Sequence, residues 1–147
     1  MTTLTLEHAN LVAEGAMRHA ADQGLRISVS ICDPGGRLLA FQRMDGGHWA
    51  AGYGSQGKAV ASAAFARPSG VVAELAHVPI MPAIAEAEGG HIIYCQGAVP
   101  IFVDGVQVGA VGVGGGSGSA QQDEDCAVAG VGHLAQKGPA TASISRD

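Results

Sequence analysis

The first pattern along the chain is helical, because apolar residues recur every three or four positions between residues 6 and 23. Thr5 or Thr3 precedes this segment and can cap its first turn, and Gly24 follows it as a stop signal. Residues three and four apart share one face of a helix, so the spacing predicts an amphipathic helix. Its predicted buried face consists of Ala9, Val12, Ala13, Ala16, Met17 and Ala20.

The period then changes to that of β-strands. Residues 26–32 alternate strictly between polar and apolar side chains, which is typical of a strand with one buried face. The sequence Asp-Pro-Gly-Gly at 33–36 supplies residues that favour a turn, and a second apolar segment follows at 37–43. These residues predict a hairpin.

A second hairpin is predicted in the C-terminal half. Two runs rich in β-branched residues, at 97–103 and 106–113, are separated by Asp104 and Gly105. An Asp-Gly pair tolerates the positive φ angles of a type I′ turn, which joins antiparallel strands tightly. With a short strand expected at 91–94, the chain has five strands, and we predict one mostly antiparallel sheet.

Helical spacing and start signals predict three further helices. Ser119 and Gln122 form a capping box at the start of the last one. Prolines and glycines interrupt residues 76–90, which we expect to be mostly loop. Residues 1–136 are therefore predicted to form one α+β domain with helices covering the sheet, and residues 137–147 a frayed C-terminal tail. The first of the three helices begins between residues 48 and 55 and ends near residue 66. The second covers residues 69–75, and the third covers residues 120–136.

Composition narrows the class of partner. The chain has 147 residues, 47% hydrophobic but only 4% aromatic, with 23 glycines, so its core must be built from small aliphatic side chains. The net charge is −5 and Lys/Arg residues are not clustered, which argues against a nucleic-acid or membrane surface and leaves a small molecule or a second copy as the partner. We find no signal peptide and no apolar run near about 20 residues, and therefore expect a cytoplasmic protein. The three cysteines suggest no disulfide framework.

The glycine-rich segment at 109–118 is the first candidate site. This segment lacks the complete G-x-G-x-x-G motif of dinucleotide-binding proteins. Elsewhere, residues 52–59 nearly match a phosphate-binding loop, but they have Ala59 at the position where a hydroxyl group is needed to bind magnesium. A nucleotide site is therefore disfavoured. Ser117 and the helix start after it could bind a carboxylate, although a purely structural cap fits equally well.

Charged and imidazole side chains supply further candidates. Lys58, near a helix start, could meet an anionic ligand, and Asp123 or Glu124 could move a proton. His8 and His19 are eleven residues apart and share nearly one side of the first helix. A neutral imidazole on an apolar wall can ligate haem iron, whereas surface histidines without a ligand are the alternative.

Taken in order, several segments resemble the GlcG/HbpS-like haem-binding family, which includes the C-terminal domain of PduO-type adenosyltransferases. The similarity extends over about residues 6–134. The matching pieces are VSICDPGGRLLAFQRMD at 29–45, Lys58-Ala59, AFARPS at 64–69, VPI at 99–101, GAVGV at 109–113 and QDE at 122–124.

The resemblance implies a profilin-like α+β fold with a five-stranded antiparallel sheet, and oligomers from dimers to octamers. It also implies haem binding, with haem degradation or redox sensing in some members and a place beside glycolate or diol metabolism in others. Haem ligation by a histidine in or near the first helix makes His19 or His8 the candidate ligand here. This chain has Ala98 where a second glycine is common and Gly114 where serine is common, and both changes alter the wall of the expected pocket.

Three hypotheses follow. In the first, an oligomeric protein holds haem through a helix-one histidine, with the propionates paired by Arg43 or Lys58. In the second, the protein is an enzyme without an organic cofactor, of lyase, hydratase or isomerase type, acting on a small carboxylate or carbonyl compound. Lys58 or Arg43 would then fix the anion, Asp123 or Glu124 would move a proton, and the loop of Gly114, Gly115 and Ser117 would supply oxyanion donors. In the third, it is a structural or regulatory oligomer.

Overall fold

The computed structural model describes residues 2–115 and 119–147, and Ser117 therefore lies outside the described residues. Thr5 caps the first helix by accepting a hydrogen bond from the His8 amide at 3.1 Å, and Ser119 caps the last by accepting from the Gln122 amide at 3.3 Å. Both predicted caps are confirmed. The elements in chain order are α1 (Leu6–Asp22), β1 (Ser28–Cys32), β2 (Leu38–Arg43), α2 (Ala50–Phe65), α3 (Ser69–Ala73), α4 (Ile80–Ala87), β3 (Ala98–Val103), β4 (Val106–Gly114) and α5 (Ala120–Lys137).

The four described strands form one antiparallel sheet in the order β2-β1-β4-β3. Both predicted hairpins are present, and Asp104 and Gly105 have the positive φ angles, 52° and 74°, that their sequence led us to expect. The α+β class and the antiparallel sheet are confirmed, but the fifth strand is not.

The two faces of the sheet are packed differently. Branched side chains such as Val29, Ile31 and Val111 form the main core with α1 and α5 on one face. On the other face, Ser30 lies opposite Gly112 in the register of β1 and β4, and its hydroxyl is 2.8 Å from that of Ser55 on α2. These side chains are small, so α2 packs close to the backbone of the sheet.

Residues 91–94, predicted as a strand, lie along α2 instead. The Ile93 amide donates to the Gly57 carbonyl at 3.0 Å, and the side chain of Ile93 occupies the space where a Cβ of residue 57 would be. Ile92 is buried against Val60. The prediction was wrong because the apolar pattern reflects packing against a helix, which a short segment cannot distinguish from strand pairing.

Two other expectations are corrected. Helix α4 occupies part of the segment that was expected to be loop. Its Pro82 lies in the first turn, where amide groups have no partner within the helix, so the proline removes no helical hydrogen bond. The C-terminal residues were expected to be frayed, but Ser143 pairs with Phe102 at the edge of β3 through two backbone hydrogen bonds of 2.8 and 2.9 Å.

Candidate functional site

The best-defined polar centre lies where α2 approaches the start of α5. The Lys58 Nζ is 3.3 Å from Asp123 Oδ2, and only 7% and 11% of the two side chains are exposed. The lysine passes beside Gly97, whose φ is +140° and where a Cβ would lie 2.7 Å from Nζ. Residue 97 is therefore glycine for a physical reason, since a side chain there would displace the ammonium group.

The Lys58–Asp123 pair joins two opposite charges in a buried site. Asp123 lies in the first turn of α5, where the helix dipole also favours negative charge. Removing one member of a buried pair leaves the other charge uncompensated in a medium of low dielectric constant. An anionic ligand at Lys58 would therefore have to share the ammonium group, which has three N–H donors, with Asp123.

Glu124 belongs to a neighbouring polar cluster. The Gln96 side-chain amide donates to Glu124 Oε2 at 3.3 Å and to Gln121 Oε1 at 3.1 Å. Gln96, Glu124 and Glu74 line a cavity of about 510 Å³ beside α3, and Lys58 is not among its lining residues. The charged groups on this wall are negative, so the cavity suits a neutral or cationic ligand better than a free carboxylate.

The described glycines of the expected rim are packed against α2. A Cβ at Gly114 would lie 2.6 Å from the Ala51 carbonyl oxygen, and one at Gly115 would lie 3.0 Å from the Ala51 Cβ. Gly115 also has a φ of +91°. These two positions adjoin the first turn of α2. The other candidate ligand-binding residue, Arg43, is exposed at the end of the edge strand β2, where it pairs with Ser28.

The two candidate iron ligands cannot act together. His8 and His19 are separated by eleven residues of α1, which corresponds to about 16 Å along the helix axis. Both are partly buried, and His8 Nδ1 is buried with no hydrogen-bond partner among the described residues. His8 lies near the end of α5, since a Cβ at Gly138 would be 3.5 Å from its ring. Within residues 2–115 and 119–147, no group of three or more His, Cys, Asp or Glu side chains could hold a metal ion.

A further surface was not predicted from the sequence. A depression lies between α2, strand β2 and the end of α4. On α2 it is bordered by four residues that follow one another along the outer side of the helix: Trp49, Tyr53, Gln56 and Val60. We call this space the α2–α4 groove. On β2 the groove is bordered by Leu38 and Phe41. His91, which follows α4, borders the space on the other side of Tyr53 and Gln56.

The amino-acid sequence at residues 4–132 matches the family model described as haem degrading protein HbpS-like. The chain belongs to the HbpS-like family. Protein GlcG of Escherichia coli strain K12 is 32% identical over 115 residues, which cover 75% of this chain and 80% of GlcG. The family expected from the sequence is therefore confirmed.

Solved structures of HbpS-like proteins have the same fold. The crystal structure of HbpS superposes with a TM-score of 0.80 at 27% identity, covering 90% of each chain. The PduOC:heme complex superposes with a TM-score of 0.77 at 20% identity, covering 89% of this chain and 94% of PduOC. At 20% identity, the likeness to PduOC shows a common fold and nothing more.

One sequence signal for the groove of this HbpS-like chain was available. The sole tryptophan and one of two tyrosines stand four residues apart in a segment otherwise made of small residues. That spacing puts both on one side of a helix, but it does not show whether the side is buried. In the part of the chain that the structure describes, no helix is long and apolar enough to span a membrane.

Proposed function

We propose that this HbpS-like protein binds haem in a homo-oligomer and serves haem degradation or redox sensing. The description of its family supports a haem-related role, and so does its 27% identity to HbpS over 90% of both chains. Haem, when bound, would supply one-electron iron chemistry, and the protein would supply an iron-binding side chain, an apolar wall and partners for the propionates.

The observation that carries a histidine ligand on α1 is the state of His8. Its Nδ1 is buried without a hydrogen-bond partner among the described residues, so no described polar group competes for that nitrogen. An imidazole nitrogen is the type of donor that haem iron requires. For the propionates, Arg43 is a better candidate than Lys58, because Arg43 is exposed and Lys58 is engaged by Asp123.

Titration of the purified protein with hemin tests haem binding. We expect a shift of the Soret band that saturates at a defined stoichiometry, and we expect it to be weakened by His8→Ala or by His19→Ala. His77→Ala, which removes an exposed histidine from the loop before α4, is the control. No saturable shift in the wild type would contradict haem binding, whereas an unchanged shift in both α1 variants would contradict only the choice of ligand.

Self-association has support from the edges of the sheet. The edge of β3 is covered by Ser143, whereas β2 is the other outermost strand and its residues are largely exposed. An uncovered edge strand is a template for pairing with another chain. Light scattering after size exclusion should give a mass above 14.7 kDa, and a monomer at all concentrations would contradict this part of the proposal.

A second candidate function rests on the buried contact of 3.3 Å between Lys58 and Asp123. Such a pair could move a proton in a lyase, hydratase or isomerase, with Glu124 as the next residue along the chain and backbone donors from Gly114 and Gly115. The negative lining of the neighbouring cavity favours a small carbonyl compound over a carboxylate. Activity in colourless protein that survives chelation and is lost in Asp123→Asn would support this alternative. A stable oligomer that no metabolite stabilises would instead favour a structural or regulatory role.

A further inference from the structure

The two edges of the sheet differ in what their outward-facing backbone groups meet. In an antiparallel pair of strands, the N–H and C=O groups of every second residue point away from the partner strand. On an edge strand these groups face outward, where they stay open to a strand from another chain. The two edge strands here are β2 and β3. The alternation identifies the outward-facing residues of each.

The outward-facing groups at the start of β3 are already occupied. The Val113 amide of β4 donates to the Gly97 carbonyl oxygen at 2.9 Å, so Ala98 and Pro100 face outward by alternation. The Ala98 amide donates to the Ser69 hydroxyl at 2.8 Å. Proline has no amide hydrogen to donate. This half of the β3 edge therefore has no outward-facing donor left for a second chain among these described residues.

A later part of the chain covers the rest of β3. Phe102 exchanges two backbone hydrogen bonds with Ser143, of 2.8 and 2.9 Å, and the Asp104 amide donates to the Thr141 hydroxyl at 3.1 Å. The Arg146 guanidinium lies 5.5 Å from the centre of the Phe102 ring, a distance at which a cation is attracted to an aromatic face. Backbone and side-chain contacts together hold this cover on the strand, so both halves of the β3 edge are closed.

The outer edge of β2 is open. The Met44 amide donates to the Ile27 carbonyl oxygen at 2.9 Å, so the backbone groups of Phe41 and Arg43 point outward by alternation. No described residue makes a hydrogen bond with these outward-facing groups. The side chains of Leu38 and Phe41 are also 45% and 42% exposed. Because β3 is closed, the edge that a second copy can offer to this strand is its own β2.

The charges around β2 favour one register for such a pair. Arg37 precedes the strand and Arg43 ends it. Like charges directly opposite each other destabilise a pair of strands. An antiparallel register with Phe41 opposite its counterpart in the second copy puts Arg43 opposite Leu39, so neither arginine lies against another. The open edge is therefore compatible with itself in charge as well as in backbone direction.

We propose that two copies of this chain pair through β2 about a two-fold axis that passes beside Phe41. The two four-stranded sheets would then form one continuous sheet. This inference rests on the proposed self-association and deepens it by naming the surface and its symmetry. Pairing of β2 with β3 would instead add copies without end, and the closed edge of β3 excludes it. An assembly built from such pairs contains an even number of chains.

Proline substitutions on β2 test the backbone pairing. Phe41→Pro removes the outward-facing amide hydrogen without removing a bond to β1, and an edge strand tolerates proline at such a position. Phe41→Ala removes the same ring but keeps the amide, so it is the matched control. We expect sedimentation velocity to give a dissociation constant of the pair at least tenfold higher for Phe41→Pro than for Phe41→Ala, which corresponds to about 1.4 kcal/mol.

Two further comparisons guard against a misfolded variant and against the wrong edge. Arg43→Pro and Arg43→Ala repeat the test at the other outward-facing amide of β2, and circular dichroism checks that each variant is folded. Ser143→Pro removes the amide that donates to the Phe102 carbonyl oxygen on the β3 edge. We expect Ser143→Pro to leave the dissociation constant unchanged, because the proposed pair does not use β3.

Three outcomes would overturn the inference. An oligomeric wild type whose dissociation constant is the same in the folded proline variants of β2 and in their alanine controls would show that copies associate elsewhere, and would leave self-association intact. Weaker association in Ser143→Pro alone would place the interface on β3. A wild type that is monomeric at all concentrations would contradict both this surface and the proposed self-association, and titration of the same sample with hemin tests haem binding separately.

Discussion

The two sides of α2 are built in opposite ways. The inner side carries Ser55, Lys58 and Ala59, all buried, and its one charge is paired with Asp123. The outer side carries Trp49 and Tyr53, both more than two-thirds exposed. The helix therefore places its small and charged residues inside and its aromatic residues outside, which reverses the usual arrangement of an amphipathic helix.

The reversal separates structure from binding. Small residues are needed inside because Gly112 and Gly114 bring the backbone of β4 against that of α2, and larger side chains would force the two apart. Nothing in the described fold requires aromatic rings outside. An exposed patch of large apolar residues that makes no contribution to the core is commonly an interaction site. The contrast therefore indicates an interaction surface on the outer side of α2.

The largest expected contrast is in thiol reactivity. Burial raises the pKa of Cys32, beneath α2, from 9.0 to about 12, so at any pH below 9 its thiolate is about a thousandfold scarcer than that of an unperturbed thiol. Cys95 is exposed. At pH 8 a thiol reagent should label Cys95 promptly and Cys32 only on unfolding. Since the folded state favours the protonated Cys32 thiol, its contribution to stability should decline as the pH rises from 9 towards 12. Prompt labelling of Cys32 would show that α2 does not seal the sheet.

Among the charged residues, removal of the buried cation should give a larger change in stability than removal of an exposed one. We expect Lys58→Met to lower the free energy of unfolding by about 3–5 kcal/mol, because Asp123 loses its cationic partner in a buried site. Arg18→Met breaks the exposed pair with Glu14 and should cost about 0.3–0.5 kcal/mol. Urea denaturation measures both values. Equal effects in the two variants would mean that water reaches the inner side of α2.

A smaller loss is expected when Gly114 is replaced by serine, the residue that the family resemblance led us to expect at this position. The new Cβ would lie 2.6 Å from the Ala51 carbonyl oxygen, so the first turn of α2 must move. We expect Gly114→Ser to lower stability by about 1–3 kcal/mol. Gly132→Ser on α5 is the control, since its Cβ would meet no atom within 4 Å and serine is a better helix former than glycine. A stabilising Gly114→Ser would show that α2 adjusts readily in this protein.

The sequence was sufficient for the helices and hairpins with strong local signals. Thr5, Ser119 and the Asp104-Gly105 turn act through neighbours in the chain, so their roles follow from spacing alone. The segment at 91–94 was misassigned because its partner is Gly57, a distant residue. The groove was missed for the same reason, since its walls come from β2, α2 and the end of α4. The contact between Lys58 and Asp123 joins residues 65 positions apart, and although both were candidates, their pairing required the fold.

The smallest effect on stability is expected at the outer side of α2. Tyr53→Ser should change the free energy of unfolding by less than about 0.5 kcal/mol, because the ring is 71% exposed and its removal leaves no cavity in the core. Phe102→Ser is the matched contrast, since that ring is only 2% exposed, and it should cost about 3–5 kcal/mol. Urea denaturation at several protein concentrations distinguishes two explanations of any larger effect at Tyr53. A loss of stability that grows with dilution would mean that a second copy of the chain covers this side of α2, so that the groove is an interface between copies. A loss that does not depend on protein concentration would mean that Trp49 and Tyr53 support the fold of the single chain. A negligible loss at every protein concentration would show that these exposed rings support neither the fold nor an interface between copies.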